Sequence, residues 1–270
     1  MDQEKHDWLK RFAKEIRIDI LRLCEKTNTG HVGSAFSVVE ILAVLYSEIV
    51  KGRYPDPDRD RVILSKGHAC TALYATLARL GIMSESSFLA FAVNGSRFGH
   101  HPHYEPSAGL EANTGSLGHG LSIGAGIAYA ARKQESSTRT FVILSDGETN
   151  EGSTWEAAAF AAHHKLSNLC MILDANGMQA LGMSKDILWP GEHAARWRSF
   201  GWEIAEVEGH DIRELFRALT KERDDRKKPL AIIANTVKGK GVRFMENNLL
   251  WHYRVPKGEE FTKALEELSS

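Results

Sequence analysis

Two apolar runs, each followed by polar residues and a glycine, constrain this chain more than any other feature. The first run, residues 140–144, precedes Asp146-Gly147, and the second, residues 169–173, precedes Asp174-Ala175-Asn176-Gly177. Their length, with about one helix between them, predicts two neighbouring parallel strands. Because parallel strands end at the same edge of a sheet, we expect Asp146 and Asn176 to lie close together.

The residue types at these two positions indicate a particular kind of ligand. A carboxylate and an amide oxygen are hard donors that suit Mg²⁺ or Ca²⁺. The neighbouring glycines allow the backbone to approach an anionic group, and a divalent ion held in this way usually bridges to a diphosphate. Because polar turn residues after strands are common, the pattern gains weight only together with further motifs.

Composition and charge exclude several classes of protein. The formal net charge of −1, with 43% hydrophobic and 26% charged residues, is ordinary for a globular chain and indicates neither nucleic-acid nor membrane binding. The charged N-terminus lacks the apolar region of a signal peptide, and the Gly- and Ser-rich stretch 112–131 is a poor membrane span. The basic run 226–228, beside two aspartates, is expected to be a solvated loop.

Cysteine usage indicates a reducing compartment. The three cysteines, Cys24, Cys70 and Cys170, lie far apart in apolar surroundings. They show neither a CxxC motif nor the Cys/His spacing of a metal site. We therefore expect buried structural thiols and a cytoplasmic protein.

Apolar periodicity predicts helices alternating with strands along the chain. Strands are predicted at 61–64, 140–145, 169–174, 202–207 and 230–236, and the main helices at 7–26, 70–80, 121–133, 153–165 and 211–222. Ser37 and Glu40 form a capping-box pattern at the start of a further helix. This alternation predicts one α/β domain over residues 1–270, with a doubly wound, mainly parallel sheet covered by helices on both faces.

Six further motifs follow one another in a characteristic order. They are Gly30-His31, SKGHA at 65–69, His101-Pro102, TGSLG at 114–118, Glu151-Gly152-Ser153 and KGKG at 238–241. With the DG…N pattern, which is similar to the GDG…N motif of thiamine diphosphate (ThDP) enzymes, this order resembles that of the transketolases. The resemblance covers residues 10–255, and Ser145 stands where the motif usually has its first glycine.

The resemblance implies ThDP as the cofactor, held through Mg²⁺, with Ca²⁺ as a possible substitute. Asp146, Asn176 and a backbone carbonyl near Met178 are the implied metal ligands. The residues implied in cofactor binding lie in five separate segments of the chain: Gly115, Ser116, Leu117, Gly147, Glu148, His68, Lys238 and His252. The small residues of the loop 114–118 are expected to expose backbone N–H groups to an anion at a helix start.

Four histidines and one glutamate are the implied catalytic residues. Imidazole suits proton transfer near neutral pH and the binding of phosphate or hydroxyl oxygens. By the resemblance, His31, His68, His101 and His252 surround the cofactor and the bound sugar. Glu151 is similar to a family glutamate at the subunit interface, although an acid favoured at a helix N-terminus is a serious alternative.

The implied reaction is transfer of a two-carbon ketol group from a ketose phosphate, or a related sugar, to an aldose acceptor. Pentose phosphate metabolism is the default pathway, but the sequence does not specify the donor and acceptor. In the family, a glutamate of a second, pyrimidine-binding domain completes the site, and the sequence stops at Ser270 without room for that domain. We therefore expect an (αβ)₂ assembly with a separate C-terminal subunit.

Two alternative interpretations stay open at this point. One is a half-subunit of another ThDP enzyme, such as the E1 α chain of a 2-oxo acid dehydrogenase or a relative of deoxyxylulose-phosphate synthase. The segments 65–68, 101–102 and 114–118 and the pair Trp251-His252 favour the transketolase type over this interpretation. The other is a non-catalytic scaffold, for which Ser145 is the only support.

Overall fold

The computed structural model describes residues 1–188, 191–220 and 228–269, so Arg226 and Lys227 of the predicted charged loop lie outside the described residues. The described strands are β1 (Arg61–Leu64), β2 (Thr140–Ser145), β3 (Leu169–Ala175), β4 (Glu203–Glu208) and β5 (Leu230–Asn235). The described α-helices are α1 (Gln3–Thr27), α2 (Val32–Phe36), α3 (Val39–Val44), α4 (Cys70–Arg79), α5 (Glu85–Leu89), α6 (Gly120–Lys133), α7 (Gly152–His163), α8 (Ser184–Ile187), α9 (His193–Ser199), α10 (Ile212–Thr220), α11 (Leu250–Tyr253) and α12 (Glu259–Ser269).

The strands form one sheet in the order β1-β2-β3-β5-β4, and every described pair is parallel. The register places Ser145 opposite Asp174 and Ala175 opposite Asn235, so neighbouring strands end together. Helices lie between successive strands along the chain, as parallel connections require. The predicted mainly parallel sheet is therefore confirmed.

The sheet has a separate apolar core on each face. Phe141 and Ile143 of β2 belong to one buried cluster, whereas Val142 and Leu144 belong to the other, because successive side chains of a strand point to opposite faces. The first cluster includes residues of α1, α3, α4, α10 and α12, and the second includes residues of α6, α7 and α9. Helices on both faces make the sheet doubly wound, as predicted.

The predicted elements lie within a few residues of the observed ones, but the predicted capping box at Ser37 is wrong. Ser37 follows α2, and its hydroxyl donates a hydrogen bond to Oδ2 of Asp174 over 2.7 Å. Glu40 pairs instead with Arg17 of α1 at 2.6 Å and with His210 at 2.9 Å. Both Ser37 and Glu40 are buried, so distant polar partners outweigh the local capping pattern.

Two properties of the whole chain also bear on the sequence predictions. Among the described residues, none of the helices combines the length and the apolar character needed to cross a membrane. Cys24, Cys70 and Cys170 are all buried thiols, and burial raises the pKa of Cys24 to about 12. The expectation of buried thiols is therefore confirmed.

Candidate active site

The carboxyl ends of four strands bring polar residues of distant sequence segments to one edge of the sheet. β1 leads to Lys66, β2 to Asp146 and β5 to Thr236, while β3 contains Asp174 and leads to Asn176. Lys66, Asp146, Asp174 and Asn176 are buried, which is unusual for polar side chains that serve no site. Since open α/β sheets bind ligands at this edge, these residues define the candidate active site.

A buried ion pair lies at the base of this edge. The ammonium of Lys66 pairs with Oδ2 of Asp174, which also accepts a hydrogen bond from Nδ2 of Asn176 over 3.1 Å. Ser37 and Thr236 donate their hydroxyls to the same carboxylate. Burial alone would raise the pKa of Asp174, but the Lys66 charge and the donated hydrogen bonds hold it below its usual range. The ionised Asp174 therefore fixes the orientation of the Asn176 amide.

The two predicted metal-ligand side chains converge, as expected. Oδ2 of Asp146 accepts a hydrogen bond from the N–H of Gly177 at 2.9 Å, and Oδ1 of Asn176 accepts one from the N–H of Met178 at 3.0 Å. Each oxygen keeps a second lone pair, and this oxygen donor set fits Mg²⁺ or Ca²⁺. In the part of the chain that the structure describes, no three His, Cys, Asp or Glu side chains could hold a metal ion together. Because the predicted set has only one such side chain, it stays a prediction.

Three of the four predicted histidines form a cluster at the same edge. The ring centroids of His31, His68 and His252 lie 5.0–5.6 Å apart. The N–H of His31 also donates to the backbone carbonyl of His252 over 3.0 Å. His31 has a φ of 67°, a left-handed conformation that is costly for a residue with a β-carbon and that concentrates at functional sites.

All three imidazoles of the cluster are neutral at pH 7. Burial lowers the pKa of His31 to about 4 and that of His252 to about 3, and it holds the pKa of His68 well below its usual range. The positive charges of Lys66 and Lys238 lower all three pKa values further. Neutral imidazoles with the ammonium groups of Lys66 and Lys238 nearby suit an anion such as a diphosphate, whose binding would offset these unfavourable interactions.

Lys238 supports His252 from within the protein, and its predicted role in cofactor binding stays a prediction. Its side chain is only 1% exposed, and its Nζ lies 2.9 Å from Nδ1 of His252. Gly33 leaves space for the Lys238 stem, since a β-carbon there would lie 3.3 Å from Cγ of Lys238. Burial lowers the pKa of Lys238 to about 8, so the ammonium form still predominates at pH 7. Because Nδ1 of His252 accepts this hydrogen bond, the neutral ring carries its proton on Nε2.

The loop 114–118 lies against the fourth histidine, His101. A β-carbon on Gly115 would come within 2.5 Å of Cδ2 of His101, so the two residues are in direct contact. His101 and Ser116 are exposed and Leu117 is partly buried, so all three are at least partly accessible from the solvent. The loop comes immediately before α6, close to the predicted helix start. Its small residues thus fit the predicted contact with a diphosphate.

Glu148 holds this loop in place, and its contact with the cofactor stays a prediction. Its side chain has no exposed surface, and Oε1 accepts hydrogen bonds from the hydroxyl of Ser65 and, over 2.9 Å, from the N–H of Gly118. Ser65 in turn accepts a hydrogen bond from the N–H of Gly120. Burial raises the pKa of Glu148 to about 7. Glu148 is buried, whereas its neighbour Gly147 is partly exposed, so a ligand can reach Gly147.

Glu151 borders the same loop. It is exposed at the start of α7, and its carboxylate makes no capping hydrogen bond. A β-carbon on Gly118 would come within 2.6 Å of Cβ of Glu151, so the glutamate lies directly beside the loop 114–118. Its position at the N-terminus of α7 fits the alternative of an acid favoured by the helix dipole, and its place at a subunit interface stays a prediction.

Sequence reasoning gave no role to three residues of the site. His193, the first residue of α9, has Nε2 at 3.2 Å from Oδ1 of Asp146, and no motif includes it. In the sequence, Lys66 and Asp174 stand out only as parts of longer motifs. Their pairing had one sequence signal, since a lysine directly after an apolar strand needs a buried partner of opposite charge.

The family described as "Transketolase, thiamine diphosphate binding domain" matches residues 9–267, which is almost the whole chain. The chain belongs to the transketolase family. The convergence of residues from the TGSLG, SKGHA and DG…N segments therefore takes place in a transketolase ThDP-binding domain. This finding favours the transketolase interpretation over the other ThDP enzymes considered from the sequence.

Two relatives that are named as transketolase subunits are similar to this chain over nearly their whole length. The chain is 41% identical over 267 residues to an apulose-4-phosphate transketolase subunit of Actinobacillus succinogenes, covering 97% of this chain and 96% of that protein. It is 36% identical over 273 residues to the 6-deoxy-6-sulfo-D-fructose transketolase subunit SqwG of a Clostridium species, covering 99% and 98%.

Solved transketolases have the same fold but are longer. The transketolase from Leishmania mexicana matches with a TM-score of 0.89 at 26% identity, covering 97% of this chain and 41% of that one. Human transketolase is 38% identical over 260 residues, which are 93% of this chain and 40% of that protein. The chain thus spans about two fifths of these single-chain transketolases.

Replacing Lys238 by methionine should raise the pKa of His252 in this transketolase domain. Burial is the main cause of the low pKa of His252 and stays in the variant, but the second cause, the Lys238 charge, is removed. NMR titration of the histidine ring protons measures the change. Lys240→Met, two residues away at a partly exposed position, is the matched control and should leave the pKa of His252 unchanged. An unchanged pKa in Lys238→Met would contradict the hydrogen bond between the two side chains.

Proposed function

We propose that this chain is the N-terminal subunit of a heteromeric transketolase that transfers a two-carbon ketol group from a ketose phosphate to an aldose acceptor. The observation that carries this proposal is the convergence of Asp146, Asn176 and three neutral histidines at one edge of the sheet. The relatives that are themselves named as transketolase subunits, similar over nearly their whole length, support a division of the enzyme into two chains.

The binding groups fall into two sets. Asp146, Asn176 and a backbone carbonyl near Met178 would hold Mg²⁺, through which the diphosphate of ThDP is anchored. The N–H groups of Gly115, Ser116 and Leu117 and the partly exposed Gly147 would contact the same diphosphate. Bound ThDP supplies the electron sink that permits cleavage of a carbon–carbon bond.

The histidines would orient the sugar and move protons. The Nε2–H of His252 can donate to a sugar oxygen, because Lys238 occupies Nδ1 of the same ring. His31 and His68, neutral at pH 7, can each accept a proton from a sugar hydroxyl and return it. His101 is exposed beside Gly115 and so can meet a sugar that enters from the open side.

An exposed apolar patch beside the site supports the proposed partner. It consists of Leu181, Ile187, Leu188 and Tyr253, and Leu181 is 81% exposed. The hydroxyl of Tyr253 donates to the carbonyl of Ala180 over 2.8 Å, which joins the two chain segments of the patch. Exposed apolar patches of this kind mark interaction surfaces. A C-terminal subunit with the pyrimidine-binding domain would cover it, supply the glutamate that contacts the cofactor and exclude water, in an (αβ)₂ assembly.

The proposed substrates are sugar phosphates or related sugars, and the proposed location is the cytoplasm. Two relatives are named for apulose-4-phosphate and one for a sulfonated ketose, so donors outside central pentose phosphate metabolism belong in a substrate screen. The buried thiols at positions 24, 70 and 170 agree with a reducing compartment.

Reconstitution tests this proposal. Turnover of a ketose phosphate, with ThDP and Mg²⁺, is measured for this chain alone and after mixing with the candidate C-terminal subunit encoded in the adjacent reading frame. We expect activity only in the mixture, its loss on chelation and its recovery with Mg²⁺. Full turnover by the single chain would contradict the division into two subunits. A complex that binds ThDP but turns over no sugar of the screen would support the scaffold interpretation instead.

A further inference from the structure

We infer that His193 is a positioning residue of the proposed metal site, which holds the carboxylate of Asp146 in the orientation that binds the cation. This inference rests on the proposed function. Nε2 of His193 lies 3.2 Å from Oδ1 of Asp146, and the two side chains are only 8% and 2% exposed. A contact between two buried polar side chains is strong because water does not compete for either partner.

The second oxygen of the same carboxylate is held from a different direction. Oδ2 of Asp146 accepts the N–H of Gly177, from the loop after β3, whereas Oδ1 contacts His193 at the start of α9. The backbone of Asp146 is fixed as well, since the N–H and the hydroxyl of Thr149 both donate to its carbonyl, at 3.0 Å and 2.7 Å. The carboxylate is therefore restrained at both oxygens and at its backbone.

These restraints change the free energy of cation binding. A carboxylate held at one oxygen can rotate about its last single bond, and binding a cation then requires loss of that freedom. A second donor on the other oxygen removes the rotation before the cation arrives, so that more of the interaction free energy appears as affinity. Each oxygen still has one lone pair available for the cation.

The fold holds His193 firmly enough for this role. α9 is fixed by Ala194 and Trp197, both buried in the second apolar cluster. Trp197 also contacts the rings of Trp155 and Trp202, at centroid distances of 4.9 Å and 5.0 Å. The imidazole is therefore carried by a packed helix, and its position does not depend on the ligand.

Two substitutions separate the donated hydrogen bond from simple packing. His193→Leu replaces the imidazole by an apolar side chain of similar bulk and so removes the N–H donor. His193→Gln keeps an N–H donor of similar reach. The half-saturating Mg²⁺ concentration for ThDP binding is measured by tryptophan fluorescence in the reconstituted complex, and thermal unfolding is recorded without metal. We expect His193→Leu to raise this concentration by about 10- to 100-fold and His193→Gln by less than about threefold. His163→Leu, at an exposed position of α7, is the control and should match the wild type.

The outcomes are distinct. A wild-type affinity in His193→Leu, or an equally weak affinity in both variants, would overturn the role of His193 as a donor and would leave the proposed function intact. If the two variants unfold at equal temperatures and only His193→Gln keeps the affinity, the result would support the role of His193 as a donor over a purely structural role. If the wild-type complex shows no saturable, Mg²⁺-dependent ThDP binding, the proposed function fails and this inference fails with it.

Discussion

Asp146→Ala will abolish retention of ThDP by the reconstituted enzyme. The substitution removes the only charged side chain of the proposed metal-ligand set, and it also removes the acceptor of the Gly177 N–H. Substitution of a residue that only supports a metal ligand lowers metal affinity by about 10- to 100-fold. Loss of the ligand itself should therefore weaken Mg²⁺-dependent ThDP binding by more than about 100-fold. Cofactor content after gel filtration and calorimetric titration of ThDP with Mg²⁺ both measure this effect.

Asp186→Ala is the matched control for this prediction. Asp186 is an exposed carboxylate of α8, in the connection between β3 and α9, and its replacement by alanine removes the same charge as Asp146→Ala. We expect the control to retain the cofactor like the wild type. Unchanged cofactor occupancy in Asp146→Ala would reject the metal-site assignment, and equal losses in both variants would indicate an effect of net charge alone.

Gly115→Ala will remove most of the activity of the reconstituted enzyme without unfolding this subunit. Gly115 has a φ of 132°, where a side chain causes backbone strain of about 1–3 kcal/mol. The new β-carbon would also lie 2.5 Å from the ring of His101, so either the loop or the ring must move. Since a displacement of about 1 Å at a reacting centre costs about 100-fold in rate, we expect a loss of that order in kcat/KM.

Gly126→Ala tests whether the effect belongs to position 115. Gly126 lies within α6, and a β-carbon there would meet no atom within 4 Å. Alanine in a helix interior is favoured over glycine by about 0.5–1 kcal/mol, so this control should keep its activity and unfold at a slightly higher temperature. Full activity in Gly115→Ala would show that the contact with His101 does not position the loop.

The features that the sequence could predict depend on local periodicity and on topology. The ends of β2 and β3 follow from two apolar runs of strand length separated by one helix, and the parallel arrangement then places Asp146 beside Asn176. The positions of His31, His68 and His252 could be expected together only through the resemblance to transketolases. No periodicity relates residues that lie in three separate segments of the chain.

The remaining features depend on contacts across the fold. His193 belongs to no motif, and its contact with Asp146 arises only because α9 packs on the same face of the sheet as α7. Lys238 follows a strand like many exposed lysines, but in the structure it is buried beside Gly33 and contacts His252. Ser37 fits a capping box locally, but the buried carboxylate of Asp174 competes more strongly for its hydroxyl.

The contact between His31 and His252 has a consequence for the synthesis of the protein. Ser34, close to this cluster, has its hydroxyl 3.4 Å from Nδ1 of His252, 218 positions further along the chain. The cluster therefore joins a segment before β1 to a segment after β5. On the ribosome, most of the parallel sheet can form before this last segment emerges, whereas the cofactor cleft cannot. The cleft around the three histidines can therefore form only after the segment that contains His252 has been translated, later than all five described strands.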